Sequence, residues 1–339
     1  MPNRISIIVV TYNSNNDIVG CLESLILHIP SAEIVVFDNN SNDGTVDTIK
    51  NRFPNVHLII NEKNIGFGAG NNYAVKKASG EYLIFINPDA KIVDNSISKL
   101  IVPLIQAARI ITTPMILLSN TVDTINTCGN LNHFTGYSFM NGCLFNAKLV
   151  GDLSKPSGIS GCCFAIRKVD FFKLGGFDPN FFLYNEDSDL SWKALLNDFS
   201  IKLIPSAIVI HNYNPRMTHN KYFNVELGRY IIIKKYFNLF DLILLLPSFL
   251  LTELISISLT GLLGINYLFY KFKALLALPN LKVIKQNGNY NNLFNNLIVD
   301  LPDTLLMIYP NNKKIFSIIN KIYKINYNYF LKIKGESVN

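Results

Sequence analysis

The sequence predicts an α/β fold on three observations. Short, almost unbroken apolar runs recur from residue 5 onward (ISIIVV, EIVVF, VHLII, EYLIFI), stretches with helical periodicity separate them, and each run stops on polar residues. Strands that are apolar on both faces belong to a parallel sheet covered by helices on both sides. In such sheets ligands lie beyond the carboxyl ends of the strands, so those ends are where chemistry is sought.

Taken in order, ISIIVV is a strand that ends at Thr11-Tyr12-Asn13, and Ile18, Leu22, Leu25, Ile26 and Ile29 then share one helix face. EIVVF ends at Asp38-Asn39-Asn40, VHLII at Asn61, and EYLIFI at Asn87-Pro88-Asp89. After residue 94 the regularity weakens: Pro103 interrupts a helical pattern, and residues 109–160 read as short strands and loops. GISGCCFAIRK is a strand, KVDFFKLGG a helix stopped by Gly175-Gly176, FDPNFFLYNEDSDLSWKALLNDF a loop entering a helix, and IKLIPSAIVI a strand again. The Asn-rich QNGNYNNLFNN near 286–296 reads as a solvated loop.

The formal charge of +7 is unevenly placed. Residues 1–229 hold 19 Lys and Arg against 19 Asp and Glu, whereas residues 230–339 hold 12 against 5. That basic part also contains the most apolar stretch, Leu239 to Tyr270, which favours an anionic membrane surface as partner and excludes nucleic acid. The expected organisation is a catalytic domain over 1–229 and a helical, basic, membrane-associating region over 230–339. Five cysteines form neither a CxxC pair nor an even framework, so no zinc site or disulfide scaffold is indicated and reduced cytosol fits. The N-terminal apolar run is too short for a secretory signal.

Residues 64–72, NIGFGAGNN, look like a dinucleotide-binding loop. That reading fails on two counts: the loop follows the third strand instead of the first, and Asn71 occupies the place of the last glycine.

Together, TYNS, DNNSNDGT, NIGFGAGN, NPDA, GGFDPNFFLYNEDSDL and IVIHN resemble, in order and spacing, the family 2 glycosyltransferases, in particular their rhamnosyltransferase-like branch, over roughly residues 4 to 230. The resemblance implies a GT-A fold, Rossmann-like with a mostly parallel sheet flanked by helices, that binds a nucleoside-diphosphate sugar along the strand ends. Thr11, Tyr12 and Asn13 would line the base pocket. Asp38 would accept a hydrogen bond from the imide N–H of uracil or thymine, or else serves as a turn residue. Asn40 and Asp43 are assigned to the nucleotide side, and Asn64, Gly66 and Asn71 to a loop cradling the donor.

Asn87-Pro88-Asp89 corresponds to the family's DxD-type element. Asp89 would hold a divalent cation, Mg²⁺ or Mn²⁺, and Asn87 would make a neutral contact to ribose or sugar. His211 is either a strand-end structural group or a further metal ligand, which would tilt preference toward Mn²⁺. Glu186, Asp187 and Asp189 crowd one helical turn, where mutual repulsion raises a carboxyl pKa; by motif match Asp187 is the general base of an inverting displacement. Glu186, Gly161 and Trp192 fall on the acceptor side, Trp192 either stacking on a sugar or packing in the core. Lys193 stands where the family commonly has a phosphate-binding Arg.

The segment 242–270 is long enough to span a bilayer, but Glu253 sits near its middle, Pro247 interrupts it, and lysines flank both sides. A monotopic helix pair or re-entrant hairpin on the cytoplasmic face of the membrane fits better than one crossing, the alternative being a soluble stretch packed against the catalytic domain or a dimer partner. The expected partners are a UDP- or dTDP-sugar donor and a lipid-linked glycan acceptor, with a homodimer compatible. The alternatives are a polyprenyl-phosphate sugar synthase and a non-catalytic glycan-binding protein on a degenerate fold.

Overall fold

The computed structural model describes residues 5–305 and 310–335. Eleven strands are numbered along the chain: β1 (Ile5–Thr11), β2 (Glu33–Asp38), β3 (His57–Ile60), β4 (Tyr82–Ile86), β5 (Ala90–Ile92), β6 (Ile110–Leu118), β7 (Ile125–Thr127), β8 (Asn130–Asn132), β9 (Ser138–Met140), β10 (Cys163–Arg167) and β11 (Ser200–His211). Nine of them form one sheet in the order β3-β2-β1-β4-β10-β6-β11-β5, with β7 beside β6, while β8 and β9 form a separate hairpin.

The four apolar runs at the N-terminus do make parallel pairs, β3 on β2, β2 on β1 and β1 on β4. The expectation of a mostly parallel sheet is corrected beyond them. Strand β10 is inserted antiparallel between β4 and β6, and β5 and β7 also pair antiparallel, so the sheet is mixed. Insertion of a late strand into the middle of a sheet is a non-local pairing that no local pattern announces.

The sheet is covered on both faces because successive strand residues alternate sides. Ile7 and Val9 face one core with helices α1 (Ile18–His28), α2 (Thr45–Arg52) and α4 (Ser96–Gln106); Ile8 and Val10 face another with α3 (Phe67–Lys77), α5 (Lys168–Lys173) and α6 (Glu186–Leu196). On α1 the expected face is buried except for Ile26, which is exposed. Helix α4 continues through Pro103.

The C-terminal region is helical: α7 (His219–Tyr236), α8 (Leu239–Leu244), α9 (Leu246–Leu263), α10 (Ile265–Ala277), α11 (Tyr290–Asn296) and α12 (Lys313–Ile333). It shares a third core with the sheet domain, in which Phe134, Phe181 and Trp192 meet Ile231, Tyr236, Phe294 and Tyr327. Helix α7 runs unbroken through the expected boundary at 229/230. The Asn-rich stretch, expected as a loop, is α11 over most of its length, because Leu293 and Phe294 are buried in that core.

Helix α9 is long and apolar enough to cross a membrane by length and composition. Its polarity is inverted relative to a soluble helix. Ser248, Thr252, Ser256 and Thr260 face inward and are buried, bonded to Asn326, Tyr323, Tyr137 and Tyr222 respectively. Outward are Leu246, Leu250, Leu254 and Leu262, all exposed. Glu253 is no stray charge in an apolar helix: it pairs with Arg229 and, at 3.0 Å, with Lys271, and both cations also contact buried Glu226. Gly264 ends α9 with φ at 126°, and α10 starts at once and packs on α7, so α9 and α10 form a helix pair.

Candidate functional site

The polar strand ends surround a cavity of about 410 Å³. Of the residues assigned to the donor, Thr11, Tyr12, Asn13, Asn64, Gly66, Asn87 and Asp89 line it. Asp38 does not. Its carboxylate is fully buried and accepts hydrogen bonds from Thr11 Oγ1 at 2.8 Å and from the Ser41 amide at 2.8 Å and hydroxyl at 2.5 Å, so it shapes the loop behind the cavity wall. Asn40 is exposed in a left-handed turn with φ at 68°. Asp43 accepts from Thr45 and from the Asn15 amide, fixing the start of α2. Asn71 lies inside α3, donating to the Phe67 carbonyl at 3.0 Å. None of these four reaches the cavity.

The glycines of NIGFGAGNN also serve a purpose other than ligand approach. A Cβ at Gly66, whose φ is 89°, would lie 2.3 Å from the Phe182 carbonyl oxygen, and the Phe67 amide donates to that same oxygen at 2.9 Å. The loop is therefore clamped to the segment leading into α6. Asn39, which the sequence presents as one of several loop formers, completes the clamp by donating to the Gly66 carbonyl and accepting from the Ile65 amide, both at 3.0 Å.

That segment ends in two consecutive left-handed residues, Tyr184 with φ at 70° and Asn185 with φ at 66°. Such backbone is strained for side chains with a Cβ. It is held here by the Asn185 side-chain Nδ2 donating to the Val225 carbonyl at 3.0 Å. The turn launches α6 so that Glu186 and Asp187 enter a second cavity of about 320 Å³ together with Gly161 and His211. Phe67, Asn87, Leu183 and Tyr184 line both cavities, so the two adjoin, with Asp89 in one and Asp187 in the other.

Asp187 is held firmly. Its Oδ2 accepts from the Gly161 amide at 2.9 Å and from Asn130 at 3.3 Å, and its Oδ1 accepts from the Ser188 amide at 2.8 Å. Burial raises its pKa, partly offset by these donors. Glu186 is buried with Oε2 lacking a hydrogen-bond partner, and burial, with the Asp187 charge second, pushes its carboxyl up to about 8. The sequence argument placed repulsion first; desolvation dominates instead. Asp189 is structural, paired with Lys193 at 3.2 Å and Lys235 at 2.7 Å. Lys193 also donates to the Gly176 carbonyl and is buried, away from both cavities. Trp192 is 1% exposed and packs against Tyr236 and Phe237, so its acceptor-stacking alternative is excluded.

The residues suit a divalent ion. Asn87 Oδ1 and Asp89 Oδ1 are buried without a hydrogen-bond partner, and His211 Nε2 lies 3.2 Å from the same Asp89 oxygen. His211 Nδ1 is 2.8 Å from Asn126 Oδ1, an acceptor, so Nδ1 donates there, and in the neutral ring Nε2 presents a lone pair on the side of the carboxylate. That lone pair, the Asp89 carboxylate and the Asn87 Oδ1 together form a donor set a cation can use. Among the described residues no group of three His, Cys, Asp or Glu forms, so an ion here would complete its shell with oxygens from outside the chain, as phosphates provide.

Four contributors escaped the sequence reading. Asn126 and Asn130 come from the irregular 109–160 segment, and Tyr213 and Lys221 follow β11. Lys221 lines the Asp187 cavity with its ammonium 5.4 Å and 5.2 Å from the ring centres of Tyr184 and Tyr213, and burial lowers its pKa.

Comparison with known proteins agrees with this architecture. Over 245 residues, 62% of this chain and 77% of the other, it is 25% identical to an N-acetylglucosaminyl-diphospho-decaprenol L-rhamnosyltransferase of Mycobacterium tuberculosis. Its fold is similar to GalNAc-T7 solved with UDP, GalNAc and Mn²⁺, at a TM-score of 0.57 and 17% identity, covering 73% of this chain and 49% of that one. It is also similar to S. aureus TarS 1-349 in complex with UDP-GlcNAc, at 0.53 and 16%, covering 99% and 93%. These two likenesses show an α/β, GT-A-like fold. The family model described as glycosyl transferase family 2 matches residues 6–175, half of the sequence, and the chain belongs to that family.

Proposed function

We propose that this glycosyltransferase moves a sugar, with inversion, from a UDP- or dTDP-linked donor to a hydroxyl of a lipid-linked glycan at the cytoplasmic face of the membrane. The observation that carries the reading is the adjoining pair of cavities, one walled by Asp89 and the other by Asp187, with Asn87 common to both. The name of the mycobacterial relative supports the lipid-linked acceptor and, with it, rhamnose as the sugar.

Thr11, Tyr12 and Asn13 receive the nucleotide base, and Asn64 and Gly66 border the donor behind it. Asp89 and His211 would hold a Mg²⁺ or Mn²⁺ ion, with the Asn87 amide oxygen available to it. Bound there, the ion supplies positive charge against that developing on the leaving diphosphate. Asp187 accepts the proton of the acceptor hydroxyl while that oxygen bonds to the anomeric carbon. The carbon–oxygen bond to the diphosphate breaks on the opposite face, its electron pair leaving with the phosphate, and one displacement inverts the centre. The donors on Oδ2 and Oδ1 keep Asp187 from turning away, and its raised pKa suits it to take a proton.

The apolar outer faces of α9 and α10 support membrane contact. Leu262, Ile265, Phe269 and Leu276 are more than half exposed, an arrangement that water disfavours and an acyl boundary accepts.

Purified protein with Mn²⁺ and a panel of nucleotide-sugars tests the reading. Asp187→Asn is expected to lower donor turnover about 10²- to 10⁴-fold with nucleotide binding retained; equal turnover in the variant removes Asp187 as the base, and an absence of turnover in the native chain restores the non-catalytic alternative. Lys221, a cation in the Asp187 cavity, favours a second reading in which the acceptor is a free polyprenyl phosphate. Glycosylation of that compound alone, with no transfer to a hydroxyl, selects it.

A further inference from the structure

A third cavity, of about 350 Å³, lies between α7, α9 and the β9 hairpin. Its walls include Phe139, Met217, Ile255, Leu259 and Leu263. The polar atoms along its floor are already engaged: Thr252 with Tyr323, Ser256 with Tyr137 and Lys271, Thr260 with Tyr222, and Glu226 with Arg229 and Lys271. What the space offers an occupant is hydrocarbon contact.

Two boundaries define what enters it. On one side Met217, Leu259 and Leu263 line the cavity and are themselves exposed, so it opens onto the apolar exterior of α9. On the other side it meets the Asp187 cavity, for Val225 lines both, and β9 divides them by its pleat, Phe139 facing the apolar space while Ser138 and Met140 face the catalytic one. One helical turn before Val225, on the same face of α7, stands Lys221. Among the described residues it makes no ion pair.

We propose that this groove holds the first part of the hydrocarbon chain of a polyprenyl-linked acceptor, with the chain's phosphate groups at Lys221 and its sugar end toward Asp187. The path runs from apolar surface through apolar groove to a single cation to a carboxylate, which is the order of parts in such a molecule. The inference rests on the assignment of the Asp187 cavity to the acceptor, and holds whether that acceptor ends in a sugar or in a phosphate.

Calorimetric titration with farnesyl diphosphate and with inorganic diphosphate, on the full chain, tests it. Farnesyl diphosphate is expected to bind at least tenfold more tightly than inorganic diphosphate. Leu259→Trp, which fills the groove from a part-exposed position, is expected to abolish that difference while leaving UDP binding and the thermal midpoint unchanged. Lys221→Met is expected to weaken both ligands alike. Leu262→Asp with Leu276→Asp, which strips apolar character from the exterior only, leaves the difference intact; a loss there means surface partitioning and overturns the groove, as does equal binding of the two ligands by the native chain. Donor turnover in Asp187→Asn is read in parallel: if it stays Asp187-dependent while the groove variants have no effect, the groove alone falls, and if it is Asp187-independent, the acceptor assignment beneath it falls.

Discussion

His211 Nε2 stands 3.2 Å from Asp89 Oδ1, and the sheet brings them together: β11 pairs with β5 so that His211 lies opposite Ala90, the residue after Asp89. Asn126, on β7, fixes the imidazole from behind through Nδ1. Removing that support leaves the proposed ligand set intact but frees the ring to rotate. Asn126→Ala is therefore expected to raise the Mn²⁺ concentration for half-maximal donor turnover about 10- to 100-fold, with saturating turnover largely retained. A Mn²⁺ titration measures it, and an unchanged midpoint argues against His211 as a ligand.

Glu186 makes stability depend on pH. Its carboxyl ionises near 4.5 in the unfolded chain and near about 8 in the fold, so between these values the folded state binds the extra proton. The stability it contributes is complete below about 4.5 and is lost as pH rises toward about 8. Glu186→Gln removes the group: the thermal midpoints of variant and native protein are expected to converge in acid, with the variant gaining steadily up to pH 8. Parallel curves contradict the buried, proton-bearing carboxyl.

Gly66 cannot carry a side chain without displacing the Phe182 carbonyl, and its φ of 89° resists one in any case. Gly66→Ala is expected to destabilise the fold by about 1–3 kcal/mol in urea unfolding. Because the displaced segment leads directly to Tyr184, UDP affinity falls with it.

Arg229 is fully buried between Glu226 and Glu253 and spreads over the Tyr137 and Tyr230 rings, 4.5 Å and 4.6 Å from their centres. Replacing one partner of such a cluster leaves uncompensated charge inside the protein. Arg229→Met is expected to cost about 3–5 kcal/mol, read by chemical unfolding, and to expose the α7–α9 contact to protease.

The membrane reading predicts that vesicles containing anionic lipid sediment the native chain, and that Leu262→Asp with Leu276→Asp releases it. Each buried leucine side chain is worth about 1.5–3 kcal/mol of transfer, so two suffice to shift the partition by orders of magnitude. Undiminished sedimentation of the double variant removes α9 and α10 as the contacting face.

The sequence made the first half of the sheet legible because β1 to β4 pair with near neighbours and carry their burial in unbroken apolar runs. Polar strand ends, a local signal, located Asn87 and Asp89 at cavity walls, and the resemblance to family 2 glycosyltransferases added Gly161, Asp187 and His211. The sequence left open residues whose role depends on which neighbours the fold sets against them. Asp38 ends a strand just as Asp89 does, but Thr11 and Ser41 consume its oxygens. Lys193 has a basic residue's usual promise, yet Gly176 and Asp189 enclose it. Asn126, Asn130 and Lys221 gave no signal, since each matters only through a neighbour more than 50 positions distant or through tyrosines that the fold gathers around it.

Helix α9 is fastened to the rest of the protein by hydroxyls and ions together with Phe249, Leu251 and Ile255, while Leu246, Leu250, Leu254 and Leu262 point away. On the proposed membrane reading, a detergent that replaces the bilayer around those leucines meets behind them a seam in which buried hydroxyls and ion pairs are interspersed with the apolar contacts. On that reading extraction and reinsertion act first on the outer coat, and a protein lifted into micelles is expected to keep its tertiary packing through the buried hydroxyl and ion contacts and to return to fresh bilayers ready to work.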